Sequence, residues 1–479
     1  MGLTLILLLV YFGLLLIVGR ATARKANNMA FYRGDRQSTW QLVAFGMIGA
    51  SVSGVTFVSV PGMAIHSDMT YLQTCMGFIL GYFIVAFVLL PVYYKMNLTT
   101  IYSYLEHRFG SSSRLTGAWF FLTSKMVSTA VKFYVVCIIV HQLMFTNADG
   151  SLSGNASFII VAVVMVMLVW LYSRRGGIKT LVWTDTVQTT CILVALVLII
   201  SSVISQLGMT VGEAATAVVN DSHSRIFVFD DWLAKQNFWK QFISGAFIVV
   251  VMTGLDQDMM QKNLTCKSLR EAQKDMCSYG FAFLPANALF LVLGVLLMML
   301  ANKQGLAVPD AGDELLPMFA ATGKLGQLPM AFFVLGIVAA SFSSADSALT
   351  ALTTSYCVDI RGKSNDENMR KRAHIMMAVV LIVVMLLFRW LNSTSVIDAI
   401  YILVGYTYGP LLGLFAFGLF TRRSVNDRMV PAVAIASPVL CYLIDTLSTK
   451  YFGYKFGYEL LLLNGMLTFI GLLIFRKRK

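Results

Sequence analysis

Apolar runs of roughly 18–25 residues recur from end to end of this sequence, and each is long enough to cross about 30 Å of hydrocarbon at 1.5 Å of helical rise per residue. Counted from zero, the runs predict spans over 2–19, 38–65, 71–94, 115–143, 156–172, 180–206, 237–260, 276–301, 328–358, 374–391, 397–420, 429–447 and 457–475. Only 13% of the 479 residues are charged, against about 25% in soluble domains, while 57% are hydrophobic. So much apolar surface needs lipid as its solvent. The expected fold is therefore all-α and polytopic, with about 13 transmembrane helices. The first run, Leu3 to Val18, ends in Gly19-Arg20 without a basic leader or a small-residue cleavage site, and reads as a retained span.

Basic residues supply an independent test of this topology. Of the 37 lysines and arginines, 27 fall in loops on one side and eight in loops on the other, leaving Lys125 and Lys132 inside span 3. Cytoplasmic loops carry the excess of positive charge, so the N-terminus is expected outside and the C-terminus inside, in the plasma (cytoplasmic) membrane. The net charge of +13 is spread over these short clusters and implies no nucleic-acid partner. The two long external connections, 208–236 and 302–327, carry acidic residues such as Glu213, Asp230 and Asp313. No Gly-x-x-x-x-Gly-Lys-Ser/Thr stretch is present, so direct ATP hydrolysis would need a partner subunit, and no obligatory protein partner is expected. Cysteines such as Cys137, Cys191 and Cys441 sit in apolar runs, without metal-ligand spacing.

Two spans read as interrupted. Span 1 contains Gly46, Gly49, Ser51, Ser53, Gly54, Thr56 and Ser59 before Pro61-Gly62, and span 6 has a weaker interruption at Thr253-Gly254, followed by Asp256-Gln257-Asp258. Broken helices are tolerated at membrane depth where the freed backbone lines protein or a water-filled cavity. A pair of them five helices apart is what a five-plus-five inverted repeat produces, although small residues also permit close helix packing. In span 8, Ala340, Ser343, Ser344 and Ser347 recur at i, i+3, i+4 and i+7 and share one face. That face offers hard oxygen donors to a small cation, or equally a packing seam. Asp185 in span 5 and Asp346 in span 8 are intramembrane carboxylates, which by default mark function; the alternative is pairing with a lysine such as Lys125 or Lys132. Asp185 lies near the inner end of its span, so the two can meet only if span 8 projects well into the cytoplasm.

These residues resemble the sodium/solute symporter family, which includes bacterial sialic acid and sugar symporters and sodium/glucose cotransporters. The matching stretches are Phe31-Tyr32-Arg33-Gly34, Ser53 to Gly62, Tyr104 to Gly110, Gly176 to Lys179 with Trp183-Thr184-Asp185, Asp256-Gln257 to Gln261, the span 8 run, and Tyr408 to Phe415. The resemblance implies a LeuT-like inverted-repeat core over 38–421 within a single transporter domain, with an extra N-terminal helix and loop (2–37) and two C-terminal helices (422–479). It further implies a conserved sodium held by backbone oxygens of Gly49, Val52 and Ala340 and the hydroxyls of Ser343 and Ser344. A second sodium, or a proton, would fall at Asp185, Ser344, Asp346 and Ser347, and solute contacts at Ser53, Thr56, Gln73 and Lys125. Val249 and Met252 stand where sugar symporters carry asparagine and tyrosine, which weakens a galactose-like substrate.

The expected function is sodium-coupled secondary active import of a small polar organic solute, a sugar, sialic acid or other organic acid, by alternating access, with one or two Na+ ions. The alternatives are a proton-coupled symporter of the same fold and a solute sensor that no longer transports. No enzyme is expected: there is no Gly-x-Ser-x-Gly at Ser53, and the five histidines fall mainly in loops or at span ends.

Overall fold

The computed structural model describes residues 2–24, 26–145, 155–232, 234–321, 325–391 and 396–477. Its elements among the described residues are helices, joined by loops that include two isolated bridges, Ser38 with Cys266 and Val425 with Arg476. Lys25, Ser151, Lys324 and the last two residues lie outside the described set.

Nine helices are long and apolar enough to cross a membrane, and two bent pairs raise the count to 11 among the described residues. Val396–Phe420 and the shorter Leu460–Ile474 occupy the remaining predicted segments. Burial sorts the spans into centre and rim. The most apolar windows of Gln327–Ile360 and Leu269–Lys303 are 72% and 67% buried, while that of Gly2–Thr22 is only 17% buried. The last therefore faces lipid along Leu5, Ile6, Leu9 and Val10, and touches the core through Tyr11 and Phe12 against Phe342.

Span 1 is broken between Trp40–Ser51 and Gly54–Ser67, with a 65° bend, and span 6 between Phe238–Gly254 and Gln257–Asn263, with a 72° bend. The first break follows from local chemistry. Val52 leaves helical geometry (φ −77°, ψ 87°), and Ser53 is extended, its Oγ accepting the Thr56 N–H at 3.3 Å as an N-cap. The Ser53 N–H turns to the Ser51 carbonyl and so leaves that of Gly49. Glycine is required on both sides of the break: a Cβ on Gly49 would collide with Thr189, and one on Gly54 with Ser341. In span 6 a π-turn, Val250–Gly254, precedes the break, and the Asp256 carboxylate caps the following half-helix by accepting the Asp258 N–H at 2.8 Å.

Span 8 begins at Gln327 and runs through a last π-turn to Ile360. Asp346 lies 14 residues before that end, roughly 21 Å at helical rise, and span 8 meets Asp185 through Ser343. Span ends distant in sequence are tied together: Asp427, in the loop after span 10, accepts N–H groups of Ser112 and Ser113 at 2.8 and 2.9 Å, capping the long helix of span 3 from outside its own sequence.

Candidate functional site

Both breaks open onto one interior cavity of about 170 Å³. Ser51, Ser53 and Thr56 of span 1 line it, with Lys125 and Lys132 of span 3, Asp256 and Asp258 of span 6, Ser344 of span 8 and Tyr408 of span 10. A larger space of about 700 Å³ lies toward the 208–236 and 302–327 connections, from which Gln236 and Asp313 contribute. The two spaces share Met63, Tyr71 and Ile248 in their walls.

The polar residues of the cavity form a network across three spans. The Lys125 ammonium reaches Asp258 Oδ2 at 2.7 Å and Asp256 Oδ2 at 3.1 Å, and the Tyr408 hydroxyl donates to the same Asp256 oxygen at 2.6 Å. Lys125 is thus the counter-ion of two carboxylates that the span 6 break delivers to the cavity. Lys132, two turns along the same face of that helix, lines the cavity without an ion-pair partner among the described residues. On the opposite wall Ser51 and Tyr82 both hydrogen-bond the hydroxyl of Tyr279, the latter at 2.9 Å.

Beside the span 1 break lies the serine face of span 8. Ser344 Oγ donates to the Ala50 carbonyl at 3.2 Å, and Ser343 Oγ donates to Asp185 Oδ1 at 2.6 Å. Gly46 packs on Asp185 and Gly49 on Thr189, so the first half of span 1 rests on span 5. Ala340 is fully buried one turn before the serines. Ser347 donates to its neighbour Asp346 at 3.2 Å, and Asp346 also accepts the Tyr172 hydroxyl at 2.6 Å. The amide of Gln188 lies between the carboxylates, its nitrogen 3.4 Å from Asp346 in one orientation and 3.1 Å from Asp185 when turned over.

Several expectations change here. Asp185 pairs with a lysine, at 2.8 Å, but the partner is Lys262, a residue counted among the basic loops, and neither Lys125 nor Lys132. Gln73 does not line the cavity. Its side chain is buried, donating to the Gln236 carbonyl at 2.8 Å and accepting the Val228 N–H at 3.1 Å, which fastens the 208–236 connection to span 2. Tyr408, Tyr172 and Lys132 are polar residues of these sites that spacing arguments did not select. A tyrosine in an apolar run gives no periodic signal of its own, whereas Lys132 was visible as an intramembrane cation.

Two broken helices opening onto one polar cavity, with a hydroxyl face against one break, define a transporter of the LeuT-like inverted-repeat fold. The structure is similar to that of a Na+-coupled sialic acid symporter in a substrate-bound, outward-open state (TM-score 0.83, 20% identity, covering 100% of this chain and 99% of the other). It is also similar to a nucleobase-cation-symport-1 family transporter in a closed conformation (TM-score 0.59, 15% identity, 93% of each chain). The chain belongs to the sodium:solute symporter family, whose family model matches residues 31–428. Relatives include the sodium/sialic acid symporter NanT of Aliivibrio fischeri, 24% identical over 97% of this chain and 92% of that protein. Another is SiaT of Proteus mirabilis, 22% identical over 92% and 88%. The human sodium/iodide cotransporter is 26% identical over 57% of this chain, a match that spans 41% of the cotransporter's length.

Proposed function

We propose that this chain is a sodium-coupled symporter that imports a small organic solute bearing a carboxylate, by alternating access through the cavity between spans 1 and 6. One observation carries the reading: the span 8 hydroxyl of Ser344 meets the span 1 break at the Ala50 carbonyl, 3.2 Å away, on the wall of the solute cavity. Hydroxyls and freed carbonyls are the hard, neutral oxygens that a small monovalent cation takes. A cation held there bridges a mobile broken helix to span 8 and forms one wall of the solute site, which couples the two cargoes.

In this reading Na+ is held by the backbone oxygens of Gly49, Val52 and Ala340 and the side chains of Ser343 and Ser344. Ser53 and Thr56 contact the solute. The carboxylate is taken by Lys132, since Lys125 is committed to Asp256 and Asp258. Val249 and Met252 give the cavity an apolar wall, which suits an organic acid better than a free hexose. The domain is a single unit of thirteen spans with the N-terminus outside and the C-terminus inside. A cysteine at Asn220 is then labelled by an impermeant thiol reagent added outside intact cells and one at Ser364 is not; the reverse pattern overturns this orientation.

The direct test is uptake into proteoliposomes of a labelled panel of sialic acids, sugars, amino acids and monocarboxylates. An inward sodium gradient is expected to drive accumulation of an acid, and Lys132→Ala to abolish it with little change in sodium affinity. Accumulation of neutral sugars alone would remove Lys132 from the site. Proton coupling is a second reading, favoured by Asp346, which meets the neutral groups Tyr172, Gln188 and Ser347 and, among the described residues, no cationic side chain in contact. It requires that an imposed pH gradient drive uptake without sodium.

A further inference from the structure

The inner half of span 6, Gln257–Asn263, carries a second lysine–carboxylate pair at its far end. The 72° bend turns Lys262 back into the bundle, where its ammonium lies 2.8 Å from Asp185 Oδ2 and each side chain is only 1% exposed. The other oxygen of that carboxylate accepts the Ser343 hydroxyl hydrogen at 2.6 Å. Asp185 is thus held between a hydroxyl of span 8 and an ammonium of span 6. The Lys262 ammonium stands against that carboxylate as a compact positive charge in ion contact.

Charge decides what else Asp185 can hold. A carboxylate buried this deeply requires a compensating cation, and Lys262 supplies it from within the chain. An added sodium at the same oxygens would meet a neutralised pair and the repulsion of an ammonium it cannot displace into water, because the lysine is sealed beneath the break. Asp346 stands apart from this pair, with Tyr172 and Ser347 donating to its two oxygens.

We propose that Lys262 is a tethered cation occupying the second-ion position at Asp185, so that this chain couples its solute to a single sodium ion at the span 1 and span 8 site. The assignment rests on the sodium-symport reading and makes Lys262 the residue that sets ion stoichiometry. It also explains why Ser343, whose hydrogen is committed to Asp185, still has lone pairs to offer the sodium on its other side.

Equilibrium binding of radioactive sodium to the purified full-length protein, without solute, tests this. The wild type is expected to bind one ion and Lys262→Ala two, the added ion filling the place of the ammonium and disappearing again when Asp185→Asn is combined with it. Lys262→Arg, which keeps the charge, is expected to bind one. Should the alanine variant not fold, Lys262→Met provides the same neutral side without a large cavity and is expected to bind two. Two ions on the wild type, or one on every folded neutral variant, overturn the tethered-cation assignment while leaving sodium symport intact. A wild type that binds no sodium removes the symport reading itself and this inference with it.

Discussion

One seven-residue helix, Gln257–Asn263, feeds two lysine–carboxylate networks that differ in their access to water. At its start Asp256 and Asp258 meet Lys125, whose side chain is 17% exposed to the cavity; at its end Lys262 meets Asp185, both 1% exposed. The first is open to water and borders the space an entering solute occupies, because its members line the cavity. The second can only change by moving the half-helix, since a buried charge stripped of its partner has nothing to turn to. Chemistry is therefore the same at the two ends, and burial separates a hydrated network from a sealed one.

The sharpest way to break this comparison is to remove one carboxylate from the sealed pair. Asp185→Ala strands the Lys262 ammonium and is expected to cost about 3–5 kcal/mol of stability, with transport lost, whereas Asp185→Asn with Lys262→Met restores most of that stability. Thermal unfolding in detergent checks it; a single variant as stable as the wild type means water reaches the pair. In the cavity, Lys125→Ala leaves two adjacent carboxylates with partial hydration and is expected to cost less, about 1–3 kcal/mol, while abolishing uptake. Equal losses at the two sites would erase the distinction.

A smaller effect separates sodium from the charge networks. Ser343→Ala or Ser344→Ala removes one oxygen from the proposed sodium site and is expected to raise the sodium concentration for half-maximal uptake about tenfold, close to 1.4 kcal/mol. An unchanged sodium dependence in both variants moves the ion elsewhere. Smallest of all is Gln73→Ala, expected to loosen the 208–236 connection by about 1 kcal/mol with the solute concentration for half-maximal uptake unchanged. A large rise in that concentration without loss of stability would return Gln73 to the solute site.

Much of this architecture is legible before any coordinates. The break in span 1 is written in Gly49, Ser53 and Gly54, because a serine N-cap between small residues stops one helix and starts another. The serine face of span 8 follows from helical spacing alone. Gln73 was misplaced for a definable reason: a polar residue near the start of an apolar span looks the same whether it faces a cavity or a folded-back loop. Only the seating of Val228 and Gln236 against it settles which.

What the sequence by itself determined about this chain is where helices must lie, which of them break and which faces are polar, since periodicity, capping and hydropathy are properties of neighbouring residues. Tertiary structure alone decided which charge neutralises which. Lys262 reads as one more basic loop residue following an apolar run, and nothing within several residues of it announces burial. Its partner lies 77 positions earlier, in another span, and the pairing exists because the span 6 break redirects a short helix beneath span 1 toward span 5. Electrostatic pairing is set by distance in space and by the exclusion of water, and neither is encoded in local spacing.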